Sequence, residues 1–214
     1  MQLGSGQIEI NTTKIEYTLG EKILLIGADK MSSIVDYTDR TTCIIFGDGG
    51  GAVLFEPSTN EFGWEDEYFR SNGSERMALR ILSGGSLHPT TQETFDQGWH
   101  NIHQEGKVVF KYAVSEMANV AEKIMKRNDL EDGKIDYLIP HQANKRIIDA
   151  TANRLDLSED KVLMNIDRYG NTTAATLPLL LYDYESKFKK GDKLVFAAFG
   201  GGFTWGAAHL TWAY

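Results

Sequence analysis

Leu138-Ile139-Pro140-His141-Gln142-Ala143-Asn144 is a short apolar run that ends at a proline and passes at once into an imidazole and two carboxamides. A helical pattern begins directly after it. Open α/β sheets place their chemistry at such points, where a buried strand gives way to the start of a helix. Two more stretches share this character, Tyr169-Gly170-Asn171-Thr172-Thr173 and Phe199-Gly200-Gly201-Gly202-Phe203.

Working outward, the helical period is clear from Val108. Phe110, Val114, Met117, Val120, Ala121 and Ile124 form one stripe, with Lys111, Glu116, Lys123 and Arg127 off it. Asn128-Asp129 ends this helix and Asp132-Gly133 turns the chain, so Ile135 to Ile139 is the strand that delivers His141. The helix after it carries Ile147, Ile148 and Leu155, and Ser158 is placed to cap a short turn. Val162 to Ile166 reads as a strand. Asn171-Thr172-Thr173 opens a helix that runs to Lys187, and Pro178 implies a start near Thr176 or a kink. Leu194 to Phe199 is a strand, and Phe203 to Tyr214 the last one, paired beside it. The order after residue 107 is helix-strand-helix-strand-helix-strand-strand. It predicts an α/β fold with a mainly parallel sheet, covered by helices and closed by an antiparallel pair.

The first half reads differently. Ile8-Glu9-Ile10 and Ile15-Glu16-Tyr17 alternate like short strand pieces. Ile23 to Gly27 and Cys43 to Phe46 read as strands buried on both faces, with Asp36-Tyr37-Thr38-Asp39-Arg40 as a polar loop between them. Gly47 to Gly51 precedes a third strand, Ala52 to Phe55. That glycine run lacks the Lys-Ser/Thr of a phosphate loop and a strand follows it, so a tight turn where two backbones pass closely is the better reading. Glu56 to Gln104 is long and irregular, rich in Gly, Ser, Thr and aromatic residues, as functional or interface loops are. His100 and His103 have spacing that could suit a metal, but no cysteine or HExxH pattern accompanies them, so no metal site is expected.

Composition narrows the function. The chain has 214 residues and a net charge of -8, which argues against nonspecific nucleic-acid binding and against a polybasic membrane contact. One cysteine, Cys43, allows no intrachain disulfide. No apolar run has membrane-spanning length and the start lacks signal-peptide order, so a cytoplasmic protein is expected.

His141, Asn171 and the glycine loop each follow a predicted strand, and in a parallel sheet such loops emerge at one edge. An imidazole, a carboxamide and free backbone N–H groups then share a pocket without a metal or an acid. That set suits negative charge growing on a carbonyl oxygen. The alternative, a core histidine with a satisfied partner, is open for His141 taken alone.

Pro140-His141-Gln142-Ala143-Asn144, Tyr169-Gly170-Asn171-Thr172 and Gly200-Gly201-Gly202-Phe203-Thr204-Trp205-Gly206 resemble the β-ketoacyl-acyl carrier protein synthase III family, as do Asp36 to Arg40 and Ile45 to Gly49. The resemblance runs from about Lys22 to Tyr214. It implies a thiolase-like fold, with a C-terminal pseudo-repeat and a partial N-terminal one. It also implies decarboxylative condensation of acyl-CoA with malonyl-acyl carrier protein in fatty-acid synthesis, by a homodimer without a cofactor. His141 and Asn171 match the pair that hydrogen-bonds the malonyl thioester carbonyl. Gly201 matches the backbone donor of the oxyanion hole. Phe199 matches an apolar neighbour of the leaving carboxylate, Arg40 a residue near the CoA adenine, and Asn144 one near the pantetheine arm. Lys145 and Arg146 match the docking site of the acidic carrier protein.

The departure lies upstream. The family's nucleophilic cysteine precedes the strand matched by Ile23 to Ile26, and Met1 to Gly20 holds no cysteine. Cys43, at the start of an apolar run, is poorly placed for an activated thiolate. The expected division is residues 1–20 unmatched, 21–56 a remnant of the N-terminal half, 57–106 a connecting or substrate region, and 107–214 the C-terminal half. Two readings stay open: part of a condensing enzyme that cannot condense alone, or a non-catalytic thioester- or carrier-binding fragment or gene relic. A Ser- or Cys-based hydrolase finds no GxSxG elbow.

Overall fold

The computed structural model describes residues 8–10, 22–58 and 61–214. Ile15 to Tyr17 lies outside them. The strands are β1 (Ile8–Ile10), β2 (Ile23–Asp29), β3 (Gly49–Phe55), β4 (Gly63–Ser71), β5 (Leu79–Ile81), β6 (Ile102–Gln104), β7 (Tyr137–Pro140), β8 (Lys193–Gly200) and β9 (Thr204–Thr211). The helices are α1 (Gln92–Asp96), α2 (Gly106–Arg127), α3 (Lys145–Arg154), α4 (Ile166–Tyr169) and α5 (Thr176–Tyr184).

A five-stranded sheet in the order β1-β4-β9-β8-β7 carries the site. Alternation along β7 and β8 builds a core on each face. Leu138, Val195, Ala197 and Phe199 meet Val109, Ala113, Met117, Val120 and Ile124 of α2. Ile139 and Leu194 meet Leu180 of α5 together with Leu163 and Phe188. A period of two in the strands against 3.6 in the helices is what permits this sandwich. The helix stripe is as expected, rotated slightly so that Val109 and Ala113 are buried while Phe110 and Val114 are half-buried. Asn128 terminates α2, its side chain donating to the Ile124 carbonyl at 2.8 Å, and Asp129, Asp132 and Gly133 take positive φ in the turn that follows. Helix α5 begins at Thr176, which leaves Pro178 in its first turn, where the missing N–H has no helical acceptor to lose.

Several expectations are corrected. Among the described strands only β7 and β8 pair in parallel; β8–β9, β9–β4 and β4–β1 are antiparallel. Cys43 to Phe46 is turn rather than strand, apart from a single bridge from Phe46 to Asn171. Val162 to Ile166 likewise makes one bridge, Leu138 to Val162, before α4 begins. The long stretch taken as irregular contains β4, paired along its length with β9. Its Glu65-Asp66-Glu67 run hides the strand, but Asp66 is bonded by Arg127 at 2.6 Å and by Asn128 at 2.8 Å.

Strand β2 pairs with β3 as a separate two-stranded sheet. It is not buried on both faces: Ile26 is 67% exposed and Leu24 59%. One side of this ribbon packs on the turn at 173–175 and on α5, and glycines set the separation. A Cβ on Gly49 would lie 2.7 Å from the Thr172 Cβ, and one on Gly51 2.6 Å from the Pro178 Cβ. The close passage of backbones is therefore as expected, although Gly49, Gly50 and Gly51 are strand residues and not a turn. A methyl group on Gly27 would run onto the Ala174 carbonyl oxygen, whereas one on Gly50 would make an ordinary 3.6 Å contact. Gly27→Ala is expected to lower stability in urea by about 1–3 kcal/mol, the usual cost of overpacking against backbone. Gly50→Ala is the control and should leave the midpoint almost unmoved.

Candidate functional site

Strand β7 hands its register on to His141, whose N–H donates to the Ala197 carbonyl at 2.8 Å. Gln142 follows, fully buried. Its Nε2 donates to the carbonyls of Pro140 at 2.8 Å and Leu163 at 3.4 Å, and its Oε1 accepts from the N–H groups of Asn165 at 3.0 Å and Ile166 at 3.1 Å. The amide thus uses its full bonding capacity inside the protein. It supplies the partners a longer strand would have supplied, which is why the run from Val162 stops after one bridge and α4 starts. Asn144 caps α3, its Oδ1 accepting from the Arg146 N–H at 2.9 Å.

Asn171 follows α4 rather than a strand, yet it reaches the same place. Its N–H donates to the Ile45 carbonyl at 3.0 Å, and its own carbonyl accepts from Gly47 at 2.9 Å. Its side-chain Oδ1 accepts from the Thr173 N–H at 2.9 Å. With the oxygen engaged, the amide NH2 is the group left to the site. The His141 ring is fixed in the same way: Nδ1 lies 2.7 Å from the Thr176 Oγ1, leaving Nε2 free. Burial by the surrounding protein holds the His141 imidazole down to about 4, so it is neutral at pH 7.

His141 and Asn171 line one cavity of about 1120 Å³ with Gly200, Gly201, Phe199 and Asn144. Arg146 also reaches its wall, its guanidinium 4.9 Å from the Phe110 ring centre. Much of the remaining wall is apolar, including Leu25, Val53, Leu177 and Phe196. Gly202 takes a φ of +131°, open to glycine, and a Cβ there would strike the Thr204 hydroxyl. Gly200 and Gly201 have room for a side chain, so space alone does not demand glycine at either.

Other expected residues stand apart. Arg40 is exposed in the 36–43 turn and outside the cavity wall, and Lys145 is exposed and paired with Asp149 at 2.8 Å. Cys43 is half-buried in the turn and is not part of the wall. His100 stacks on Phe95 with ring centres 4.4 Å apart, while His103 lies on β6. No group of three or more potential metal ligands occurs among the described residues. Nor does any described helix have the length and apolarity to cross a membrane. Sequence reading missed Thr176 as the partner of His141 and Gln142 as the clamp. The first had no signal beyond its place at a helix start; the second stood inside the motif.

A mixed five-stranded sheet between helices, with a His, an Asn and a glycine loop around one cavity, belongs to the thiolase-like α/β class. Residues 125–212 match the model of the 3-oxoacyl-[acyl-carrier-protein] synthase III C terminal, and residues 6–73 match that of 3-oxoacyl-[acyl-carrier-protein] synthase III. The chain belongs to this family. The match begins ahead of Lys22, where the resemblance in the residues begins, and so reaches into the segment expected to be unmatched. Beta-ketoacyl-[acyl-carrier-protein] synthase III 1 of Bacteroides thetaiotaomicron is 52% identical over 194 residues, covering 91% of this chain and 58% of the relative. The Chlorobaculum tepidum synthase III is 54% identical over 196 residues, covering 90% and 60%. Among solved structures, 3-oxoacyl-[acyl-carrier-protein] synthase III from Aquifex aeolicus superposes with a TM-score of 0.79 at 36% identity, covering 90% of this chain and 58% of that one. The Pseudomonas aeruginosa enzyme gives 0.81 at 32%, covering 91% and 60%. The chain thus spans about three-fifths of the length of the relatives it matches.

Two outcomes follow from this geometry. Gln142→Leu leaves the Asn165 and Ile166 N–H groups buried without an acceptor, and should cost roughly 2–4 kcal/mol in urea unfolding. His141 is neutral when folded down to about pH 4 but titrates near 6.5 when unfolded. Between those values the unfolded chain binds more protons, so stability falls as pH falls through the window. His209, also held below its ordinary value by burial, adds to the slope. Urea midpoints should show His141 contributing a loss on the order of 2 kcal/mol from pH 7 to pH 5, and His141→Gln should flatten that part of the slope.

Proposed function

We propose that this chain supplies the malonyl-activating part of a decarboxylative condensing site that uses acyl-CoA and malonyl-acyl carrier protein. The observation that carries the reading is the pairing of His141 and Asn171. Each lines the cavity with its other polar atom already bonded inside the protein, which leaves the His141 Nε2 and the Asn171 NH2 for a ligand. A malonyl thioester carbonyl would accept from the His141 Nε2–H and the Asn171 NH2. As the C–C bond to the carboxylate breaks, carbon dioxide leaves and the electron pair enters the enolate, whose oxygen these donors hold. The enolate carbon then attacks an acyl thioester on a nucleophilic cysteine. That thiolate departs with its electron pair and the 3-oxoacyl carrier protein forms.

Phe199 is the apolar neighbour of the departing carboxylate, and the Gly201 N–H is the oxyanion donor for the acyl carbonyl. Asn144 serves the pantetheine arm, Arg40 the adenine, and Lys145 with Arg146 the carrier protein. Cys43 is not the nucleophile; a segment of the intact enzyme outside this chain supplies it. Residues 107–214 form the C-terminal half, 57–106 the connecting and substrate region, and 21–56 what this chain holds of the N-terminal half. A homodimer in the cytoplasm is carried over from the family.

The test is carbon dioxide release from malonyl-CoA by the purified chain. His141→Ala and Asn171→Ala should each lower the rate by about 10²-fold, the usual loss for one oxyanion donor. Equal rates in the wild type and both variants would sink the reading. Intact mass after incubation with acetyl-CoA should show no acyl adduct. An adduct that disappears in Cys43→Ala would make Cys43 the nucleophile after all.

A further inference from the structure

The Thr176 hydroxyl has one proton and two neighbours able to accept it. Its Oγ1 lies 2.7 Å from His141 Nδ1 and 2.9 Å from the Thr173 carbonyl oxygen. Thr176 itself is buried, at 2% exposure, so water does not complete its bonding. The two bonds are linked by this single proton. If the hydroxyl donates to Thr173, it can only accept from the imidazole. His141 then carries its proton on Nδ1 and turns a bare lone pair on Nε2 toward the cavity. If the hydroxyl donates to Nδ1, the imidazole proton sits on Nε2 and is available to a ligand carbonyl. The state of one buried hydroxyl thus decides whether the cavity wall at His141 accepts or donates.

We infer that Thr176 is a positioning residue that sets the tautomer of His141, holding the proton on Nδ1 in the empty site and releasing it to Nε2 when a carbonyl binds. In the empty site the relay from Nδ1–H through Oγ1–H to the Thr173 carbonyl gives every buried group a partner. Turning the hydroxyl from Thr173 to Nδ1 is cheap, because the Thr173 carbonyl keeps the backbone N–H of Thr176. The change conserves protons: Nε2 takes one from solvent at the cavity, and Nδ1 gives one up when its bond to Thr176 opens transiently, so the imidazole is neutral before and after. A carbonyl ligand gains a donor only in the second state, so its binding selects that state. The proposed use of His141 as a donor to the malonyl carbonyl supplies the functional side of this inference; the tautomer of the empty site does not depend on it.

The test is nitrogen NMR of the full chain labelled at its histidine rings, with His141 assigned by its loss in His141→Ala. In the wild type without ligand the proton should be on Nδ1. Thr176→Ser keeps the hydroxyl and should keep that tautomer. Thr176→Val removes it and would leave a Nδ1–H buried without an acceptor, so the balance should move toward Nε2–H by about tenfold or more. Thr176→Ala gives the same comparison if the valine variant does not fold. The same tautomer in the wild type and in a folded hydroxyl-free variant would overturn the inference, as would an Nε2–H form in the empty wild type. Malonyl-CoA decarboxylation is read separately. Its absence, with the tautomer shift present, counts against the proposed function and leaves the role of Thr176 intact.

Discussion

The Gln142 side chain holds the site together. A carboxamide with no solvent exposure is costly unless each of its atoms finds a partner. Here its two donors and two acceptor positions are met by four backbone groups, two at the end of β7 and the adjoining 163 segment, and two at the start of α4. Because those partners lie far apart in sequence, the bonds fix where the chain goes after residue 163. The segment leaves the sheet, turns through α4, and brings Asn171 back beside His141. Asn171 then bonds the 45–47 segment through its backbone on both sides. One buried amide thereby orders the two loops that carry the chemistry, and through Asn171 it also anchors part of the first half of the chain.

A second constraint acts between the β2–β3 ribbon and α5. Glycines on the ribbon allow its backbone to pass within contact distance of the 172–178 segment, and Asp29 accepts from the Ala174 N–H at 3.1 Å and from the Thr173 hydroxyl. Thr173 and Ala174 lie between Asn171 and Thr176. The ribbon thus buttresses the backbone that aims both site side chains, while its apolar residues Ile23, Leu24, Leu25 and Ile26 stay about half exposed or more. Leu25 and Val53 continue into the cavity wall. The enolate of the proposed reaction would need that wall covered against water. A wall this apolar fits a further protein segment better than it fits solvent.

Much of this was legible in the residues, for reasons that particular elements make plain. Helix α2, strands β7, β8 and β9 and the start of α5 each carry a strong period or a proline at a decisive place. His141 and the glycine loop stood out because they follow strands, where polar groups and glycines have few structural uses. Asn171 stood out because its polar neighbours open a helix, although α4 and not a strand precedes it. The failures share a cause: short apolar runs do not reveal whether a partner strand is available. Cys43 to Phe46 and Val162 to Ile166 have strand composition, but their partners are taken by turns and by Gln142. Ile23 to Gly27 was right as a strand and wrong as a buried one, because burial depends on neighbours that composition does not name. Strand β4 was missed for the opposite reason. Its charges looked like a loop, and only the C-terminal end of α2, through Arg127 and Asn128, explains how Asp66 is accommodated at the sheet.

The neutrality of His141 bears on why the proposed reaction would use this pair and not a cation. In a malonyl thioester the carboxylate holds its negative charge before carbon dioxide leaves, and the carbonyl oxygen gains charge only as it leaves. A cationic group beside both would stabilise the carboxylate first, deepening the ground state more than the transition state. Burial removes that option by keeping the imidazole uncharged at neutral pH. Two neutral donors on the carbonyl, with an apolar ring such as Phe199 facing the carboxylate, favour the charge where it arrives and not where it starts. The desolvation that lowers stability in acid is therefore the same feature that would direct the site toward the enolate.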